Sequence, residues 1–446
     1  MNADLVLSNA KAFLENRISD CSIAIDKGKI IKIGSQSNMP KAEATMDLKN
    51  LLVLPGLIDA HVHLRDEGKA YKEDFCTGTA AAAAGGFTTV LDMPNNDPIT
   101  MSARTLQNRM MIAANRILVN VGFYSEFPTE TREIEAIIRE GPVAFKLFMS
   151  QQIGGLEIDS DSALSEGLTI LAQSEVLLAA HAEDHRALKD KENSLKRVGR
   201  NDIKAFLSAH SETVETKAVD RLMKIVKKTR TRLHVCHLTT DETLKAVTLA
   251  KRTGINASCE ATPHHLFLST ADLLKSGVSA ITVPPLRAKK NLVSLWNGIR
   301  SGAIDIIASD HAPHTWTEKN VTSAWNVKVG IPGLETTAPL LLTQVKRGRL
   351  SITDFVRLLA QRPAEIFRLK GKGSLKKNND ADLTVADLRR KYTIDPSKFH
   401  SKAKYSPFEG WKAHGKPVKT FVGGQLIMDD DEIVGEPGSG RVIRKE

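Results

Sequence analysis

Six side chains, far apart in the chain, are of types that could share metal ions: His61, His63, Lys146, His181, His237 and Asp310. In the stretch LIDAHVHLRDEG, residues 57–68, two histidines flank one valine at the end of an apolar run, and Arg65 follows at once. Side chains two apart on a strand leave the same face, so His61 and His63 would point together, where one ion binds both imidazoles. Lys146 lies within VAFKLFM (143–149), His181 ends VLLAAH (176–181), His237 ends RLHVCH (232–237) and Asp310 ends IDIIASD (304–310). Imidazole and carboxylate ligands suit zinc, and also manganese, iron or cobalt. Lys146 is the odd member, because an ammonium with a reference pKa of about 10.4 repels cations. It is either a lysine paired with a carboxylate, or an amine that adds carbon dioxide to become a carbamate whose two oxygens bridge two metals.

The elements that would carry these residues form a repeating pattern. Apolar strand-like runs at 57–63, 87–93, 117–123, 143–149, 176–181, 232–237, 255–260 and 304–310 alternate with helical patterns at 72–84, 102–114, 130–139, 161–173, 213–228, 240–252 and 289–301. Repeated βα units of this number predict an α/β fold, a (β/α)8 TIM-like barrel, whose active site lies at the C-terminal ends of the strands. Every metal-capable residue above falls at or near such an end. Residues 1–55 read as short β runs with a hairpin turn at Lys27 and Gly28, and residues 375–446 repeat the style with ADLTVADL and GKPVKTFVGGQLIM. Both termini are therefore expected to build one small composite β-sandwich around a barrel domain spanning 56–374.

Bulk properties exclude several classes. The chain has 446 residues, 26% charged and 41% hydrophobic, as in a soluble globular protein, and its 5% aromatic content offers no base-stacking platform. The net charge of +10 is scattered among acidic residues, so no nucleic-acid partner is expected, although a basic field would draw in small anions. Four cysteines without paired spacing, and an N-terminus lacking the build of a signal peptide, predict a reduced cytoplasmic setting. No apolar run reaches the roughly 18 residues of a membrane span. GWKAHGKP (410–417) approximates a phosphate loop, but Pro417 stands where Ser or Thr is required. His234 has the opposite strand parity to His237, which predicts packing outside the barrel, whereas His185, His264 and His265 are candidates to orient ligands.

The segments PGLIDAHVHLR, DMPNNDP, FKLFM, AAHAED, LHVCHLTT, CEATPHHLFLS, PPLR and ASDHAPH resemble, in order, those of the amidohydrolase superfamily and its cyclic-amide hydrolases. The Arg after His-x-His and the Asn after Met-Pro resemble dihydroorotases; allantoinases and dihydropyrimidinases are similar elsewhere but usually lack that pairing. The resemblance implies two divalent metal ions, zinc foremost, with His61 and His63 on one, His181 and His237 on the other, carboxylated Lys146 bridging, and Asp310 completing the first. It implies a small anionic substrate, dihydroorotate or N-carbamoyl aspartate, with Arg65, Asn95 and His314 as donors and the backbone near Gly330 touching the ring. Val283 stands where relatives often carry Asn.

Two ions would give a bridging hydroxide near neutral pH, with Asp310 as general base and then general acid to the leaving nitrogen. Ring opening of (S)-dihydroorotate would then give N-carbamoyl-L-aspartate in pyrimidine biosynthesis. Taken without the resemblance, Arg65 would pair with Asp66 or Glu67, and Asn95 would form a turn after Pro94. The alternatives are an allantoinase or dihydropyrimidinase acting on neutral rings, or a metal-free scaffold. A homodimer and an association with aspartate carbamoyltransferase are the protein partners expected.

Overall fold

The computed structural model describes residues 2–445. Eight parallel strands follow one another around a barrel: Leu57–Val62, Phe87–Asp92, Asn120–Ser125, Ala144–Phe148, Leu177–His181, Arg232–Val235, Ala257–Ala261 and Ile306–Ile307. Each falls within or beside one of the apolar runs read from the sequence. Sequential parallel neighbours need crossover helices, which supply the outer layer. The ring closes at the strand ends, where Val62 bridges His311 in parallel and the His63 N–H donates to the His311 carbonyl at 2.8 Å.

Helix starts follow local chemistry. Asp74 with Thr77 and Ser102 with Thr105 form reciprocal caps that satisfy backbone N–H groups otherwise left unpaired. The helix Phe75–Ala84 buries its alanine run because it packs on the second barrel strand, on the helix Leu334–Lys346 and on the terminal sheet. Small side chains permit that approach. At Gly85 a Cβ would lie 2.3 Å from the Leu334 carbonyl oxygen, so only glycine fits.

The two termini meet in one nine-stranded sheet. Leu52–Pro55 pairs with Ala3–Leu14 on one side and antiparallel with Leu383–Thr393 on the other, and Lys412–Val422 extends it. The Lys27–Gly28 turn has φ of 49° and 74°, the left-handed pair that a tight hairpin of this hand requires. Beyond that sheet, Val442–Ile443 pairs in parallel with the third barrel strand. No helix among the described residues is long and apolar enough to cross a membrane.

One buried ion pair braces the turn that carries Arg65. Asp92, at the end of the second strand, accepts from the Leu64 N–H at 2.8 Å and from Arg109 through Nε at 3.1 Å and through its terminal nitrogen. Both side chains are buried. Asp92→Ala should leave the Arg109 charge uncompensated, a loss of about 3–5 kcal/mol. A thermal midpoint equal to that of the parent chain would show that Asp92 does not brace this end of the barrel.

Candidate metal centre

The C-terminal strand ends enclose a cavity of about 790 Å³. Every candidate metal ligand and substrate contact from the sequence lines it except Lys146, which is fully buried on the fourth strand behind it; of the other histidines expected to orient ligands, His185 lines it and His264 and His265 do not. His61 and His63 leave the end of the first strand, His181 ends the fifth, and His237 and Asp310 follow the sixth and eighth. Their rings form a chain, with centroid separations of 5.4 Å for His61–His63, 5.2 Å for His61–His237 and 4.6 Å for His181–His237. Three chemistry-bearing residues hold left-handed backbone: Arg65 at φ 63°, His237 at 31° and Asp310 at 47°. Such conformations cost about 1–3 kcal/mol each and persist where the surroundings over-determine them.

The spacing of donor atoms fits metal ions. His61 Nε2 and His63 Nε2 lie 3.4 Å and 3.3 Å from Asp310 Oδ1, and the donor atoms of these three residues lie within 4.8 Å of one another. His181 Nδ1 faces His237 Nε2 at 3.1 Å. Ligand bonds of about 2.0–2.1 Å at tetrahedral angles put neighbouring ligand atoms roughly 3.3–3.4 Å apart.

The far side of three of the four rings supports the same reading, while His237 Nδ1 is buried with no hydrogen-bond partner among the described residues. Glu260 Oε1 accepts from His61 Nδ1 at 2.5 Å, Asn95 Oδ1 from His63 Nδ1 at 2.7 Å, and Glu183 Oε2 from His181 Nε2 at 2.8 Å. Each bond takes the single proton of a neutral imidazole and turns the remaining lone pair inward. Burial pushes His61, His63 and His237 below the usual histidine range, so these rings stay neutral. Burial also pushes the Asp310 carboxyl up, against the pull of the nearby His61 and Lys146.

Among the described residues Lys146 has no counter-ion within ion-pair distance. Its Nζ lies 3.1 Å from Cys236 Sγ, and burial pushes that thiol up to about 12, so it stays protonated. Among the described residues no carboxylate lies within ion-pair distance of Lys146, which removes the reading of a lysine paired with an acidic side chain.

Among the described residues Arg65 is equally without an acidic side chain within ion-pair distance. Asp66 pairs with Arg116 at 2.6 Å and Glu67 accepts from Asn108 at 3.0 Å, so the salt bridges expected without the resemblance go elsewhere. The buried guanidinium instead donates to the Pro313 carbonyl at 3.3 Å and sits 3.2 Å from His314 Nε2. His314 is held between Lys72 on Nδ1, at 3.2 Å, and the Val329 carbonyl on Nε2, at 3.0 Å. Gly330 lines the wall with its own N–H donated to the Ile281 carbonyl at 3.0 Å.

Sequence reasoning passed over several supports. Glu260 also accepts from the His237 N–H at 3.0 Å and from His234 Nε2 at 3.0 Å. His234 is therefore bonded to the carboxylate behind the His61 ring, not packed outside the barrel. The parity argument fails because the sixth strand ends at Val235 and the turn at His237 breaks the alternation. Asp59, one strand step before His61, accepts from the Ser309 N–H with both oxygens at 3.1 Å and from the His61 N–H at 3.1 Å, tying the first strand to the eighth. A buried acid inside an apolar strand run was the available signal. His185 lines the cavity and bonds Asp159 at 2.9 Å; the ring nitrogens of His265 go to Thr262 and the Pro284 carbonyl.

A parallel barrel with four imidazoles, a carboxylate and a sealed amine converging at its mouth defines a metal-dependent barrel hydrolase. The family model described as "Amidohydrolase family" matches residues 52–427, and the chain belongs to that family. It is similar to the dihydroorotase of Methanothermobacter thermautotrophicus, at 38% identity over 99% of this chain and 98% of the relative, and to that of Methanosphaera stadtmanae, at 36% over 97% and 98%. Among solved structures it resembles the L-hydantoinase (dihydropyrimidinase) from Arthrobacter aurescens, with a TM-score of 0.95 and 29% identity over 99% of this chain and 100% of that one.

The Glu260 carboxylate generates a direct test. Glu260→Ala should weaken metal binding about 10–100-fold, as loss of a ligand-orienting partner typically does. Chelator competition followed by elemental analysis measures it; metal retention equal to the parent chain would remove Glu260 from the support of the centre.

Proposed function

We propose that the protein is a dihydroorotase, reversibly hydrolysing the cyclic amide of (S)-dihydroorotate to N-carbamoyl-L-aspartate in pyrimidine biosynthesis. The observation that carries this reading is Arg65: a buried guanidinium lining the cavity, beside the imidazoles and without a protein carboxylate. Leaving a charge so placed is costly unless a ligand pairs with it, and a guanidinium fork matches a carboxylate. Dihydroorotate carries that carboxylate, whereas the rings of allantoin and dihydrouracil do not. The full-length similarity to dihydroorotases supports the same choice.

His61, His63, His181 and His237, with Asp310, would hold two divalent ions, zinc being the fit for imidazole and carboxylate, and carboxylated Lys146 would bridge them. When bound, such ions supply a Lewis acid for the scissile carbonyl and an activated water. Asp310 takes the proton of the attacking water and delivers it to the leaving ring nitrogen, serving as base and then acid. Arg65 holds the substrate carboxylate. Asn95, whose carbonyl oxygen is engaged with His63, keeps its amide N–H groups for the same carboxylate. His314 and Gly330 form the wall against which the ring lies.

The domain reading is a barrel over 56–374 with a composite unit from 1–55 and 375–446. A cytoplasmic location accords with four free cysteines. The resemblance also makes a homodimer and an association with aspartate carbamoyltransferase the assemblies to look for.

Two outcomes test the reading. Arg65→Met should raise KM for dihydroorotate by about ten- to hundredfold, the worth of a charge-assisted hydrogen bond, while kcat changes less. An unchanged KM, or parent-level turnover of dihydrouracil exceeding that of dihydroorotate, would move the assignment to the hydantoinase-like branch. Lys146→Ala should abolish most turnover and lower bound metal by elemental analysis. Full metal loading in that variant would contradict its bridging role.

A further inference from the structure

Lys319 is the last residue of the short helix Trp316–Lys319, yet its side chain is fully buried and runs inward. Among the described residues no carboxylate pairs with it. Its Nζ instead donates to the Gly330 carbonyl at 2.8 Å and to the Ile281 carbonyl at 3.1 Å, and the Tyr405 ring lies 5.8 Å away. The Gly330 N–H donates to the same Ile281 carbonyl. The peptide groups on either side of the Gly330 Cα are thus fixed, one through its N–H and one through its C=O.

The neighbouring carbonyls are fixed as well. Val329 accepts from His314 Nε2, and Ile331 accepts from the Ala312 N–H at 2.9 Å. Gly330 itself adopts φ 129°, and a Cβ there would lie 2.6 Å from the Ala312 side chain and carbonyl. The 329–331 rim is therefore a narrow backbone ledge pressed against the residues that follow Asp310. His314 and Ala312 grip it from the strand-eight side. From the outer side Lys319 grips it together with the Ile281 carbonyl, and Lys319 does so with a buried amine, which burial pushes down to about 7. Burying an ammonium to hold two carbonyls is costly, and a lysine used only to fill space would be replaced without loss by an apolar side chain.

We infer that Lys319 is a positioning residue for substrate recognition, setting the ledge at Gly330 against which the cyclic amide lies. This rests on the cyclic-amide reading of the cavity given above. Lys319 acts on binding of the ring and not on the metal ligands, since none of its hydrogen-bond partners is one of them.

The test uses the metal-loaded protein with Lys319→Met, which keeps length and apolar bulk and removes the donors. KM for dihydroorotate should rise by about tenfold, the worth of a lost charge-assisted hydrogen bond. kcat should stay within about twofold and metal content should not change. Amide exchange in the peptide containing Gly330 should accelerate. Lys319→Gln, which retains a donor, should recover part of both effects, and carries the same two readouts should the Met variant be unstable. A KM and an exchange rate equal to the parent's would overturn the inference, as would a fall in kcat at constant KM. If the parent chain fails to turn over dihydroorotate, the functional reading fails. The exchange measurement still decides whether Lys319 holds the ledge.

Discussion

A neutral imidazole has one proton for two nitrogens, so whichever nitrogen is hydrogen-bonded as a donor decides that the other faces its surroundings with a lone pair. At the barrel mouth this is settled three times over, by Glu260 for His61, by Asn95 for His63 and by Glu183 for His181. Glu260 reaches furthest. From the seventh strand it fixes a ring on the first, a backbone N–H after the sixth and the His234 ring behind them. The centre is thereby an arrangement of strands as much as of side chains, because moving the first, sixth or seventh strand breaks a bond to the shared carboxylate. Glu183 extends the support outward, accepting from His210 Nδ1 at 2.9 Å, while Arg287 donates to the His210 carbonyl and to Glu215.

Charge balance is the second constraint. Three of the four imidazoles are held neutral by burial, the Cys236 thiol keeps its proton, and Asp310 is the carboxylate facing the ring pair of the first strand. An ammonium at Lys146 would sit in this volume with no carboxylate among the described residues within ion-pair distance. The proposed carbamate changes the sign of that position, turning the one unfavourable residue into a ligand. Its full burial behind the imidazoles then becomes useful, since a modified lysine sealed on the fourth strand is shielded from bulk water.

The barrel and the cluster of titratable side chains at its mouth were legible because their signals are local: apolar runs of strand length, helical periodicity between them, and titratable residues at the run ends. All eight strands lie on the apolar runs, and the helix Asp161–Gln173 has the bounds read from its pattern. The third strand lies later in its run, at Asn120–Ser125, because the polar Ser125 gives no apolar mark of the strand's end. The supports were much less legible. Glu260 and Glu183 gain their meaning only from rings on other strands, and no periodicity reports such a meeting. His234 shows the limit of parity reasoning, which holds along a strand and fails at the first left-handed residue. Lys319 carried no sequence signal at all, since a lysine closing a short helix reads as solvated, and its burial follows from the loop that folds back over it.

Arg65 shows how structure can separate two chemistries that share a centre. A cyclic amide hydrolase for neutral rings needs the metals and a base; a cation beside them adds nothing and costs desolvation. Here the chain assigns Asp66 to Arg116 and Glu67 to Asn108, and turns the intervening backbone through φ 63° at Arg65 itself. The neighbouring acids are thus occupied elsewhere and the guanidinium is left lining the cavity. Asp310, the opposing charge that acts on it most strongly, is committed to the histidine pair. A positive group kept in a buried wall without an ion-paired carboxylate among the described residues is a requirement placed on the ligand: it must bring an anion of its own, a few ångströms from the bond that opens.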